Sequence, residues 1–414
     1  MNILMLSATF PYPPSRGGTQ NRTFHLMQAL QRSGHSLTLV TQRDTSVTGD
    51  QITALGQWVE DLQVFPAPPV PSGQRSAKIR RFGQVLIQGT PSHVLHRYHP
   101  DLQRWVDAGV NQGRWQAITC EHSVNEIHVR PQWRRQFPQL QIVLNVHSSL
   151  YRTCANQLAT GTAEKPWRDR LLLPLLHRYE RQTCGKFSQI VVTTDEDQRQ
   201  FQAFQSAAPV TVIANGVDLE QFPYRAADPG GQHLVFVGGL DYFVNIDAAC
   251  RLGREVLPPL LERYPHTTVT LVGSNPAEAV LALAQHPQIT VTGRVPSVAE
   301  YLHRGTVFVA PLRTGFGMKI KTLEAMAAGI PVVASDRGLE GITGADRPGA
   351  TAALRANTIA ETVAAIGQLF EDPPLRQTLS RHGRSLVESE YTWARAGERY
   401  GQLLMGNLMD NLES

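Results

Sequence analysis

Cysteine is scarce in this 414-residue chain. The four present, Cys120, Cys154, Cys184 and Cys250, show no C-x-x-C spacing and have no paired histidines beside them. That pattern argues against both a zinc site and a disulfide framework, and it fits free thiols in a reducing compartment. No apolar run reaches the roughly 18 residues of a membrane span, and the opening Met1-Asn2-Ile3-Leu4-Met5-Leu6 lacks a charged leader and a small-residue cleavage site. A cytoplasmic chain that is neither exported nor membrane-spanning is expected. G-x-G-x-x-G is missing as well. The stretch after the first apolar run, "SATFPYPPSRGG", does not contain it, nor does the start of the second half, which argues against a nicotinamide dehydrogenase. No nucleic-acid reader motif accompanies the basic charge.

What the chain does have is apolar content, 42% against 18% charged, enough for sizeable cores in two or more domains. Charge is uneven: residues 1–215 carry 22 Lys and Arg against 14 Asp and Glu, the rest 17 against 21. The basic clusters are Arg75-Lys78-Arg80-Arg81, Arg130-Arg134-Arg135, and a group from 168 to 181. A solvated face is one reading of them, and a peripheral contact with an anionic membrane is another, since leucines interleave with the third cluster and Ile79, Phe82, Val85, Leu86 and Ile87 with the first.

Strand and helix signals alternate throughout. Short β-branched runs at 3–7, 37–41, 117–120, 142–146, 190–194 and 210–214 read as buried parallel strands, with a helix entering near Gly18 and closing at Gly34. A polar, Pro- and Gly-rich linker follows at 216–232. The alternation then resumes with strands at 234–237, 269–272, 289–292, 307–310 and 332–334, and helices at 247–263, 359–370, 375–388 and 393–408. Two doubly wound domains result, and such sheets bind ligands beyond their strand C-termini.

One stretch breaks a local rule. In "PLRTGFGMKIKTLEAMAAGIPVVASD", residues 311–336, Gly329 and Pro331 end a helix that must start near Met318, placing Lys319 and Lys321 in its first turn. Helix N-termini disfavour cations by roughly a few tenths of a kcal/mol each. A bound anion reverses that sign, and Gly315 and Gly317 let bare backbone approach it. Phosphate is the candidate. Glu324, one turn further in, is too far from the lead N–H groups to be only a partner of the helix dipole, and an exposed Lys321–Glu324 salt bridge is the plain alternative.

Together these pieces resemble the retaining family 4 of the GT-B glycosyltransferases over nearly the whole chain. The matching motifs are Gly17-Gly18, Arg32-Ser33-Gly34-His35, Asn215-Gly216-Val217-Asp218, Leu323-Glu324-Ala325-Met326-Ala327-Ala328-Gly329 with Pro331-Val332-Val333-Ala334, and Tyr391-Thr392-Trp393. The resemblance implies an α/β, GT-B fold of two Rossmann-like domains facing across a cleft: 1–215 for the acceptor, 216–389 for the nucleotide-sugar donor, and a crossing helix at 390–414. It implies sugar transfer with retention from a nucleotide-diphosphate donor to a glycan or lipid-linked acceptor in surface polysaccharide or glycolipid synthesis. No metal or resident cofactor is implied.

By the same resemblance Lys319, Lys321 and the backbone at Gly317 and Met318 hold the diphosphate, Glu324 takes the ribose hydroxyls, and His147 lies near the sugar. Gly17, Gly18, Gly239, Gly273, Arg294, Gly315 and Phe316 complete the donor site. Two departures stand out: Phe316 occupies the position of a glutamate that contacts the sugar in many members, and "VFVGGLDYFVN", 235–245, lacks their Arg and Lys. Asp241 and Asn245 are candidates for sugar recognition there, or else turn and helix-capping residues. His122 is a weaker candidate, and Asp195-Glu196-Asp197 reads as a helix start rather than a metal triplet. A GT-B epimerase or phosphorylase, and a non-catalytic nucleotide-sugar-binding protein, are the competing readings.

Overall fold

The computed structural model describes residues 1–68, 89–315 and 317–412, with side chains placed through residue 406. Phe316 and the first basic cluster with its apolar neighbours lie outside the described residues. The chain forms two compact units, Met1–Ala214 with Trp393–Ser414, and Asn215–Thr392.

Unit 1 is built on seven parallel strands: β1 (Asn2–Ser7), β2 (Ser36–Arg43), β3 (Asp61–Pro66), β4 (Ala117–Glu121), β5 (Gln141–Asn145), β6 (Gln189–Val192) and β7 (Val210–Val212). Their order is β3-β2-β1-β4-β5-β6-β7, so the winding reverses between β1 and β4. β3 has no counterpart among the expected strands. As a half-buried edge strand it carries Asp61, Gln63 and Pro66, residue types that strands use little. The first helix, Gly18–Arg32, buries Phe24, Leu26, Met27 and Leu30; Gly34 then adopts φ +79°, and the His35 N–H closes back on the Leu30 carbonyl at 3.1 Å.

The last helix, Trp393–Leu412, lies against that first helix. A Cβ at Gly397 would fall 2.0 Å from the Ala29 Cβ, and His25 stacks on Trp393 with centroids 4.9 Å apart. A buried polar network joins the two helices to the sheet. Arg22 Nε donates to Asn145 Oδ1 at 3.0 Å, Asn145 Nδ2 to Glu121 Oε2 at 2.8 Å, and the Tyr400 hydroxyl to Glu121 Oε1 at 3.1 Å. Burial lowers the Arg22 pKa to about 10 and raises that of Glu121, each charge opposing the other's shift.

Unit 2 has six parallel strands: β8 (His233–Val237), β9 (Thr268–Val272), β10 (Ile289–Val291), β11 (Val307–Ala310), β12 (Val332–Ala334) and β13 (Leu354–Arg355), in the order β10-β9-β8-β11-β12-β13. Phe236, Val307, Val309 and Val333 point into its core. The helix expected from 247 begins earlier, at Phe243, and runs Phe243–Arg251, through a π-turn at Leu252–Val256, into Leu257–Arg263. Asp247, the expected first residue, lies inside the helix and pairs with Arg313. The Val217 N–H donates to the Tyr391 carbonyl at 2.8 Å, so the chain enters and leaves this unit side by side.

Candidate functional site

In unit 2 the winding reverses between β8 and β11, and the loops leaving β8, β9 and β11 gather most of the expected donor-site residues. Gly273 follows β9. A Cβ there would fall 1.7 Å from the Gly238 carbonyl oxygen, so only glycine lets the two strand ends close. A Cβ on Gly238 would meet Asn245 Cγ at 2.7 Å and Lys321 Nζ at 2.8 Å. Bare backbone is therefore what brings these two side chains together. Asn245 is the third residue of its helix, neither turn nor cap, and its Nδ2 donates to the Gly239 carbonyl at 2.8 Å. Asp241, exposed in the preceding turn, accepts from Asn275 Nδ2 at 3.2 Å. Arg294 follows β10, is exposed, and makes no hydrogen bond among the described residues.

The helix of the 311–336 stretch is Ile320–Ala328, ended by Gly329 at φ +83°. Its start corrects the expectation for Lys319, which is the N-cap residue at φ −94°, ψ 84°, outside the first turn. The lysine is 8% exposed and turns back on its own loop. Its Nζ donates to the Gly315 carbonyl at 3.3 Å, to the Gly317 carbonyl, and to Glu340 Oε2 at 3.3 Å. Gly315 and Gly317, at φ +86° and +84°, aim those carbonyls inward, and a cation is what such a turn requires. Glu340, 5% exposed, also receives Arg337 at 3.0 Å. The loop is strapped elsewhere too: Arg313 clasps Asp247, Gly315 packs on Val244, and Met318 Sδ accepts the Asn215 N–H at 3.2 Å.

Lys321 points differently. Its ammonium donates to Asn245 Oδ1 and lies 4.8 Å from the centroid of the Phe236 ring. Burial brings its pKa down to about 7, Lys319 adds to the fall, and Glu324 opposes it. The Glu324 carboxylate, partly accessible, has no side-chain hydrogen bond among the described residues, and burial raises its pKa to about 7 against the pull of Lys321. No ion pair joins the two, and neither is on an exposed face, so a surface salt bridge does not describe them. The arrangement presents an ammonium whose charge burial suppresses and, one turn away, a carboxylate without donors among the described residues. An anion would restore the first and hydroxyl groups would satisfy the second.

In unit 1, Gly17 is the extended N-cap and Gly18 the first residue of the first helix. His147 stands just beyond β5. Its ring meets that of His122 edge-on at 5.1 Å, its Nε2 is enclosed without a hydrogen-bond partner, and burial pushes its pKa well below the usual value. His122 holds φ +83°, with its pKa lowered by burial to about 4. Asp195, Glu196 and Asp197 form the first turn of the helix Asp195–Gln202, whose cap is Thr194; the Asp197 N–H donates to Thr194 Oγ1 at 3.1 Å. Phe236, Gly238 and Glu340 were not singled out in the sequence. The Gly238-Gly239 pair was the one available signal, and Glu340 offered none.

Two parallel, doubly wound sheets of this kind, one per unit, define the GT-B form. Family models match in sequence: Glycosyltransferase Family 4 over residues 16–221, and Glycosyl transferases group 1 over 231–372. The chain belongs to this family of GT-B glycosyltransferases. It is 25% identical to a glycogen synthase of Mycobacterium tuberculosis over 95% of this chain and 92% of that one. It is 31% identical to the lipopolysaccharide core biosynthesis mannosyltransferase LpcC of Rhizobium leguminosarum over 49% of this chain and 61% of that one. Among solved structures, sucrose-phosphate synthase from Thermosynechococcus elongatus superposes with a TM-score of 0.69 at 20% identity, covering 99% of this chain and 100% of that one. HepE of Anabaena, in complex with UDP and glucose, does so at 0.61 and 14%, covering 98% and 99%.

Proposed function

We propose that unit 2 binds a nucleotide-diphosphate sugar and that unit 1 binds the acceptor, a glycan or lipid-linked sugar, in cell-surface polysaccharide or glycolipid synthesis at the cytoplasmic side. The observation that carries this reading is Lys321, a suppressed ammonium at a helix start, held on Asn245 beside a glycine loop and one turn from Glu324, whose carboxylate has no donor among the described residues. Lys321 and the leading N–H groups of Ile320–Ala328 take the diphosphate, and Glu324 takes the ribose hydroxyls. Lys319 acts by holding the loop carbonyls. A GDP-mannose-dependent mannosyltransferase of Mycolicibacterium smegmatis, 30% identical over 49% of this chain and 58% of that one, and the UDP-bound structure support a nucleotide-sugar donor.

Transfer proceeds with retention. The acceptor hydroxyl attacks the anomeric carbon on the face the phosphate leaves, the bond from carbon to phosphate oxygen breaks, and the hydroxyl proton passes to the departing phosphate. Developing negative charge on that phosphate is what Lys321 stabilises. His147 is kept neutral by burial, and with its Nε2 enclosed it is given no part in the transfer step. No step is routed through a metal. The test is a thermal-shift screen of UDP-, GDP- and ADP-sugars, followed by NMR of the glycoside formed. Stabilisation by one donor series and an unchanged anomeric configuration are expected, and product of inverted configuration overturns the retaining reading.

A further inference from the structure

The first turns of the helix Pro166–Cys184 read PWRDRLLLPLLHR, a tryptophan and five leucines, and none of those six side chains is buried. Asp169 is the buried one in that stretch. Leu172, Leu173, Leu175 and Leu176 are half-buried, and Trp167 and Leu171 stand at the surface, where large apolar side chains side by side carry information. Trp167 is 65% and Leu171 59% exposed, one turn apart on one face. Arg170, Arg178 and Arg181 are exposed along the same face and its flank, which runs about 21 Å from Trp167 to Arg181 at the helical rise.

Acid is kept off this row. Asp169 accepts from the Arg168 guanidinium at 2.7 Å, and Glu180 accepts from Ser149 Oγ at 2.7 Å and the Leu150 N–H at 2.6 Å. Ahead of the helix, exposed Glu164 sits beside exposed Lys165.

We propose that this face is a membrane-contact surface that seats on anionic lipid headgroups, with Trp167 and Leu171 entering the acyl boundary and Arg170, Arg178 and Arg181 meeting the phosphates. Charge decides between a bilayer and a second copy of the chain. A two-fold self-contact would bring six arginines together with no acid from this row to pair them, whereas an anionic leaflet neutralises them. The inference uses the surface of unit 1 alone and does not depend on the donor-site reading.

Sedimentation with vesicles of phosphatidylcholine, alone or mixed with phosphatidylglycerol, tests it on the full chain. The wild-type chain is expected to pellet with the mixed vesicles at low salt and to be released at high salt. Arg170→Gln/Arg178→Gln/Arg181→Gln should weaken binding about a hundredfold, roughly fivefold per cation, and Trp167→Ser/Leu171→Ser by about tenfold or more, with melting temperatures unchanged. Absence of wild-type binding at low salt, equal binding to the neutral vesicles, or variants that bind like wild type overturns the proposal. A wild-type dimer in sedimentation velocity that Trp167→Ser/Leu171→Ser dissolves also overturns it, assigning the face to a second copy.

Discussion

Asn245 fixes Lys321 in place: its Oδ1 accepts from the ammonium while its Nδ2 is committed to the Gly239 carbonyl at 2.8 Å, so the amide cannot turn over without losing both bonds. In the proposed donor site the cation for the phosphate is Lys321, and Asn245 only holds it. Lys321→Ala is therefore expected to weaken nucleotide-diphosphate binding by about ten- to a hundredfold, the range of a charge-assisted hydrogen bond. Asn245→Asp should weaken it by about tenfold, because a carboxylate would hold the ammonium yet repel the phosphate. Calorimetry with UDP, GDP and ADP checks both, and wild-type affinity in Lys321→Ala would falsify the phosphate assignment.

Proton uptake on binding follows from the Lys321 pKa of about 7. Below that pH the ammonium is already charged; above it the free site has lost the proton, and an arriving phosphate recovers it. Donor affinity should fall as pH rises beyond 7, by up to about tenfold per unit. Glu324 contributes with opposite sign below pH 7, where hydroxyl donors favour its ionised form, so the clean measurement is at pH 8. Titrations in two buffers of different ionisation enthalpy should show uptake in wild type and none in Lys321→Ala.

The fold was legible because buried parallel strands are short, apolar and β-branched: 307–310 and 332–334 could hardly be anything else. β3 and β13 escaped because an edge strand of mixed polarity and a two-residue strand leave no such trace. At the site, Lys319 and Lys321 were visible as cations at a helix start, where local physics disfavours them. Their different roles were not, because the groups that separate them lie far off in sequence. Asn245 is 76 positions from Lys321, and Glu340 is 21 from Lys319 in a loop without periodicity.

Glu324→Gln should gain stability and lose donor affinity together. The folded pKa of this carboxyl, about 7, lies above its ordinary 4.5, so its contribution to stability is fully present below pH 4.5 and lost as pH rises through 7. At pH 8 the ionised form is a cost that glutamine removes. That pKa already includes the pull of Lys321, and partial exposure to water screens the cost, leaving a gain of about 1 kcal/mol, or roughly 2 °C in melting temperature. Donor affinity should drop because ribose hydroxyls lose a charged acceptor. A variant that melts lower than wild type at pH 8 with unchanged donor affinity would make Glu324 a structural residue.

Lys319 should behave unlike Lys321 despite standing two positions away. Its ammonium is enclosed and spent on Glu340 and on the carbonyls of Gly315 and Gly317, so Lys319→Met removes one of the cations that meet a buried carboxylate. Breaking a buried pair costs about 3–5 kcal/mol when the remaining charge has no other partner; Arg337 at 3.0 Å still reaches Glu340, so about 2 kcal/mol is expected. Lys319→Met/Glu340→Met should recover more than half of that loss, because Arg337 is partly exposed and can turn to water. Urea denaturation of the single and double variants measures the coupling. Donor affinity should fall less in Lys319→Met than in Lys321→Ala, since the loop is loosened while the phosphate cation stays. The reverse outcome, wild-type stability with affinity lost as in Lys321→Ala, would make Lys319 a direct phosphate ligand whose ammonium leaves Glu340 when the donor binds.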